Sequence, residues 1–165
     1  DLFWIRAVLY YGEHSRTDRR YPLLPHLLWL SVWLDPYFED PYEFGGIVLA
    51  WDAGAVDQSI ALLREGVENV PRWHPRWWYL PFFLGFDYFW WHRDWMRAAR
   101  WLEVAARAPG SPRYLPLLVA RLYARAGSPQ VAVRFLEETI RRAPPGPLRE
   151  RLRRRLERIR RGWRP

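Results

Sequence analysis

One pattern of small and large residues recurs along this chain, and a repeat of this length narrows the fold more than any single motif does. Ser59, Leu63 and Gly66 in one stretch correspond to Ala98, Leu102 and Ala105 in the next and to Ala132, Leu136 and Thr139 in a third, at spacings of 39 and 34 residues. A second set of landmarks keeps the same register. Gly46 and Gly85 are also 39 apart, and Gly54 and Gly127 each stand five residues before the small residue of the stretch that follows. Pro71, Pro109 and Pro144 close the units, where a helix must stop. Leu24, Leu28, Ser31 and Pro36 fall into the same slots near the start of the chain. Two antiparallel helices approach to about 8–10 Å only where the residues at their crossing are small. Gly46, Gly85 and Ala120, set against Ser59, Ala98 and Ala132, meet that condition. Each unit therefore reads as a helical hairpin with one face bare until the next hairpin stacks on it.

The stretch from Trp77 to Trp95 is the densest part of the pattern. Eleven of its nineteen residues are Trp, Phe or Tyr, more aromatic surface than one helix normally buries against its neighbours. At its centre Leu84, Gly85 and Tyr88 have the spacing L-G-x-x-Y, which marks the first helix of a tetratricopeptide-type hairpin. On these residues the chain from about 40 to 144 resembles the tetratricopeptide repeat family. The resemblance implies an all-α, tetratricopeptide-like α-solenoid of helical hairpins with a C-terminal capping helix. Its units would be a degenerate first hairpin over 1–40, repeat hairpins over 41–74, 75–110 and 111–146, and an Arg-rich cap over 147–163. Two departures bear on the first helices: Pro81 and Pro116 stand where the family usually has Trp, and two units carry an extra residue before the turn. The chain is also similar to bacterial envelope-associated members of the family, in which an upstream segment anchors the solenoid to a membrane. A first residue of Asp1 rather than Met agrees with an upstream segment.

Outside the repeat, residues 2–11 are mostly apolar at helical spacing and predict a helix ending at Gly12, followed by an exposed polar connection from Glu13 to Arg20. A second helix is expected from Tyr21 to Leu34, with Pro22 and Pro25 near its first turn and Asp35-Pro36 as its stop. Half of the 165 residues are apolar, enough for a sizeable core in a single domain. The absence of Cys excludes disulfides, thiolate zinc sites, iron–sulfur clusters and covalent haem attachment. No apolar run reaches the roughly 18–20 residues of a membrane span. Asp35-Pro36 interrupts the run from Leu27, and Pro81 and Asp87 interrupt the aromatic stretch.

The net charge of +8 is carried by the tail: residues 147–165 hold nine Arg against two Glu, while the rest is nearly balanced with 17 Arg against 16 Asp and Glu. Within the tail, Leu148, Leu152, Leu156, Ile159 and Trp163 make one narrow apolar stripe, the form of a helix that caps a solenoid. Glu150 to Arg154 and Glu157 to Arg161 have the spacing of supporting ion pairs. The charge exceeds what a cap requires, so Arg151, Arg154, Arg158 and Arg161 are candidate contacts to phosphate on an anionic membrane, with nucleic acid ranked below it.

The aromatic stretch divides between two roles. Tyr79, Phe83, Leu84, Tyr88 and Trp91 are expected in the solenoid core. Phe82, Phe86, Phe89 and Trp90 fall on a different arc and are the candidate surface for a protein partner in a larger assembly, since dense exposed aromatics mark such surfaces. The remaining candidates for chemistry are weak. His14, His26, His74 and His92 lack the i, i+4 spacing of a metal pair. Asp35, Glu39, Asp40 and Glu43 sit where carboxylates ordinarily cap a helix and offset its dipole. Neither a nucleophile elbow, a phosphate-binding loop nor a dinucleotide fingerprint occurs. The expectation is a non-enzymatic scaffold without cofactor, metal or small-molecule substrate.

Overall fold

A computed structural model describes residues 2–162. Among the described residues the chain forms nine helices and no strand: α1 (Leu2–Arg16), α2 (Leu24–Leu34), α3 (Asp40–Trp51), α4 (Val56–Asn69), α5 (Tyr79–Trp90), α6 (Trp95–Arg107), α7 (Leu115–Arg125), α8 (Pro129–Arg142) and α9 (Pro147–Arg160).

Proline sets most of the boundaries. It occupies the first turn of α2, α3, α7, α8 and α9, where its missing N–H is not needed. It also ends the second helix of each repeat. Val70, Ala108 and Ala143 each precede a proline, and all three take the extended conformation that the following ring imposes. Inside the hairpins the chain reverses through a residue in the left-handed region, Gly54 at φ 65°, Arg93 at φ 55° and Gly127 at φ 74°. The middle hairpin thus makes with an arginine the turn that its neighbours make with glycine.

Each helix packs on the next in sequence, and α3 also packs on α5 and α7 on α9. Hairpins stacked in this way form an all-α solenoid. A single apolar core runs through it from Ala7 to Ile159. The small helical residues admit the large residue of the partner helix: a Cβ on Gly85 would stand 2.7 Å from Leu102 Cγ, and one on Gly66 2.8 Å from the Tyr42 ring. Ser59 completes the crossing in its own hairpin by donating to the Gly46 carbonyl at 2.8 Å.

Several expectations change. Helix α1 continues through Gly12 to Arg16. Glycine in a helix interior costs only about 1 kcal/mol, and the helix stops instead where Arg19 turns left-handed at φ 53° and its N–H reaches the His14 carbonyl. Helix α2 starts at Leu24, three residues later than expected, with Pro25 in its first turn. Trp91 leaves the core: it follows the last turn of α5, is 41% exposed and packs edge-on against Trp51. Neither expected ion pair of α9 forms; Arg160 reaches Glu137 of α8 instead. The stripe of α9 is buried at Leu152, Leu156 and Ile159, while Trp163 lies outside the described residues.

Candidate partner-binding face

The odd-numbered helices from α3 onward share a rotation. On α5 the core side is set by Leu80, Leu84 and Tyr88, all buried. At 100° per residue, Phe82, Phe86 and Trp90 then project away from it. Phe82, Phe86 and Phe89 are half-buried, and Trp90 is 51% exposed. Phe82 and Phe89 also pack against the edge of the core, and the rings cover one another. Trp78 meets Phe82 at 5.7 Å, Phe82 meets Phe86 at 5.2 Å, Phe86 meets Phe89 at 5.8 Å and Phe89 meets Trp90 at 6.2 Å between ring centroids. The ridge then leaves α5: Trp90 lies 5.8 Å from Trp51 at the end of α3, and Phe89 lies 5.4 Å from Trp95 at the start of α6. Arg125, the last residue of α7, sits over the Trp95 ring at 4.1 Å, a cation–π contact.

All four sequence-chosen aromatics are therefore brought together. Sequence reasoning missed Trp51, Trp78, Trp95 and Arg125. A signal for Trp51 was present, since it stands 39 residues before Trp90, the repeat spacing itself. No local signal pointed to Trp95 or Arg125, which join the ridge only through packing of α6 and α7.

The four tail arginines are placed by the rotation of α9. With Leu152, Leu156 and Ile159 buried, Arg151, Arg154, Arg158 and Arg161 are exposed. Toward α7, the Arg155 guanidinium is held below its ordinary range by burial and then by the charges of Arg158 and Arg121. Cations of α7 and α9 are thus close neighbours.

The carboxylates at the start of α3 do something other than cap. Glu39 is the N-cap residue but makes no side-chain capping bond. Instead Arg76, from the connection between α4 and α5, contacts Glu39 and Asp40 and lies 3.3 Å from Glu43. Burial, with the hydrogen bond and charge of Glu39 behind it, pushes Glu43 up to about 7. The cluster ties one hairpin to the next, as Arg107 of α6 does by reaching Glu138 of α8 at 2.7 Å. The histidines stay apart: His14 pairs with Asp18 at 2.7 Å, and His92 lies 3.3 Å from Asp57. Among the described residues no three His, Cys, Asp or Glu side chains converge in a way that would hold a metal.

One buried polar group was not anticipated as such. Asp87 on α5 is 2% exposed, and its Oδ2 lies 2.6 Å from Ser59 Oγ on α4. Burial pushes its carboxyl up to about 7 against a smaller opposing effect of the Ser59 bond. Ser59 has one hydroxyl hydrogen. Where that hydrogen is donated to the Gly46 carbonyl, a protonated Asp87 is the donor to Ser59, and three helices share one linked pair of hydrogen bonds.

Comparison with protein-family models, with curated proteins and with solved structures finds no match. The functional reading therefore rests on this geometry.

Proposed function

We propose that this protein is a non-catalytic scaffold or adaptor of the tetratricopeptide repeat type, which holds a protein partner of a larger assembly on the aromatic face of α5. The observation that carries this is the ring-to-ring ridge from Trp78 to Trp90 and Trp51, on helices whose opposite sides already fill the core. A solenoid needs only the core-facing row for stacking. The second row supplies rigid aromatic area, the kind from which binding hot spots are made. The family resemblance adds the bacterial envelope, with an upstream anchor, as the expected setting.

Affinity capture from the source organism tests the reading. Replacing Phe86 and Trp90 together by serine is expected to weaken the captured partner by about 2–4 kcal/mol, with a smaller shift in thermal unfolding. Undiminished capture by the folded double variant rejects the aromatic face as the binding surface.

A second reading is favoured by the exposure of Arg151, Arg154 and Arg158 on α9 and of Arg161 at its C-cap: attachment to an anionic membrane through this helix. Charge reversal at Arg151, Arg154 and Arg158 would then abolish binding to anionic vesicles, and binding of the unaltered protein would fall steeply as salt rises from about 50 to 200 mM. Vesicle binding indifferent to both changes removes this reading.

A further inference from the structure

The open face changes character along the solenoid, slot by slot. Gly46, Gly85 and Ala120 hold one position of successive first helices. The residue after each, and the residue five places on, belong to the outward face: Ile47 and Trp51 on α3, Phe86 and Trp90 on α5, Arg121 and Arg125 on α7. On α9, whose buried residues set its rotation, the same face falls at Arg154 and Arg158, with Arg151 beside them toward α7. Positions that are apolar or aromatic on two helices are arginine on the next two.

The two halves meet at Trp95, which contacts Phe89 on one side and Arg125 on the other. No acidic residue occurs in α7, and the two acids of α9, Glu150 and Glu157, lie on the side of Arg154 away from Arg151. The carboxylates at the start of α3, Asp40 and Glu43, are engaged by Arg76 at the far end of the face.

We propose that this face takes a single extended polypeptide segment with an apolar, aromatic-rich block and an acidic block, the first lying over α3 and α5 and the second over α7 and α9. The inference rests on the scaffold reading and specifies its partner. Charge complementarity selects the acidic block, and the segregation selects a polypeptide. A single-stranded nucleic acid carries a phosphate at every nucleotide and suits a groove in which aromatic and basic side chains alternate along the strand. Here they are separated end to end, and only a polymer that can gather its charges at one end matches them. Packed helices lie about 8–10 Å apart, and α5 reaches α7 through Trp95 of α6 rather than by packing on it, so the path across the face from α5 to α9 is at least about 20 Å. At about 3.3 Å per extended residue, the two blocks are centred at least about six residues apart.

Fluorescence anisotropy with short labelled peptides tests this. The probes are one peptide with an aromatic block followed by a glutamate block, one in the reverse order, one with the same residues interleaved, and an oligothymidylate of similar length. One blocked order is expected to bind at least about tenfold tighter than the interleaved peptide. Phe86→Ser and, separately, Arg121→Glu or Arg154→Glu are each expected to weaken it several-fold. The loss from arginine reversal should shrink at high salt and that from Phe86→Ser should persist. Equal binding of blocked and interleaved peptides, indifference to both arginine reversals, tighter binding of the oligothymidylate, or no binding of either blocked peptide overturns the proposal. If any of these occurs while partner capture still depends on Phe86 and Trp90, the division of the face is wrong and the scaffold reading stands. If capture is independent of them, the scaffold reading falls as well.

Discussion

Asp87 carries a pH dependence that can be worked out from its surroundings. Its carboxyl lies near 3.8 when solvated and is pushed up to about 7 in the fold by burial. Below 3.8 both states hold the proton and the group leaves stability unchanged. Between the two values only the folded state holds it, so stability falls as pH rises, and above about 7 the loss is complete. A tenfold difference in proton affinity between the folded and unfolded states is worth about 1.4 kcal/mol, which makes the whole loss up to about 4 kcal/mol. Asp87→Asn keeps a donor toward Ser59 and removes the titration. The variant is expected to match the parent in thermal unfolding near pH 4 and to exceed it by about 2–4 kcal/mol at pH 8; a difference independent of pH would contradict this account. Arg93 offers a second test at this scale. It occupies a left-handed turn position that glycine holds in the two neighbouring hairpins. Arg93→Gly is expected to stabilise by about 0.5–1 kcal/mol, a rise of about 1–4 °C in the unfolding midpoint.

Two helical glycines separate the intrinsic preference of a helix from the needs of packing. Gly12 of α1 has open space where a Cβ would go, whereas a Cβ on Gly85 of α5 would press on Leu102 Cγ at 2.7 Å and on its backbone nitrogen at 3.1 Å. Gly12→Ala is expected to stabilise by up to about 1 kcal/mol through helix propensity alone. Gly85→Ala gains the same propensity but forces α5 and α6 apart, and overpacking of about 1–3 kcal/mol outweighs it. Denaturant unfolding of the two variants should move in opposite directions. That Gly85 is a close-approach site was legible in the repeat register, because Gly46 stands 39 residues before it. That Gly12 lies inside a helix was not. A glycine followed by a polar run reads as a connection although Glu13 and Arg16 are good helix formers, and the stop is made by backbone geometry at Arg19.

Over the whole molecule, α9 closes the core that the hairpins share. Leu152 is fully buried, and Leu156 and Ile159 are nearly so, against α8 and α7. Leu156→Asp places a charge there without a partner and is expected to cost on the order of 3 kcal/mol. Hydrogen exchange should report the loss first in α9 and α8, since a solenoid transmits instability to nearest neighbours. A loss spread evenly to α1 would show that the array unfolds as one unit. The all-α, hairpin-built fold followed from sequence because a small–large–glycine–proline register is a local code, written in residues whose steric limits hold wherever they stand. The aromatic density of α5 was equally visible, and so was the apolar stripe of α9. Other features depended on which helices come to lie side by side. The clamp of Arg76 on Glu39, Asp40 and Glu43, the burial of Asp87 against Ser59 and the meeting of Trp95 with Phe89 and Arg125 join residues from different hairpins or different elements. Sequence by itself determined the hairpin, because backbone sterics and helix periodicity act within one unit. Tertiary structure alone decided which side chains lose water and which charges become neighbours, because desolvation and Coulomb interaction depend on distance in space.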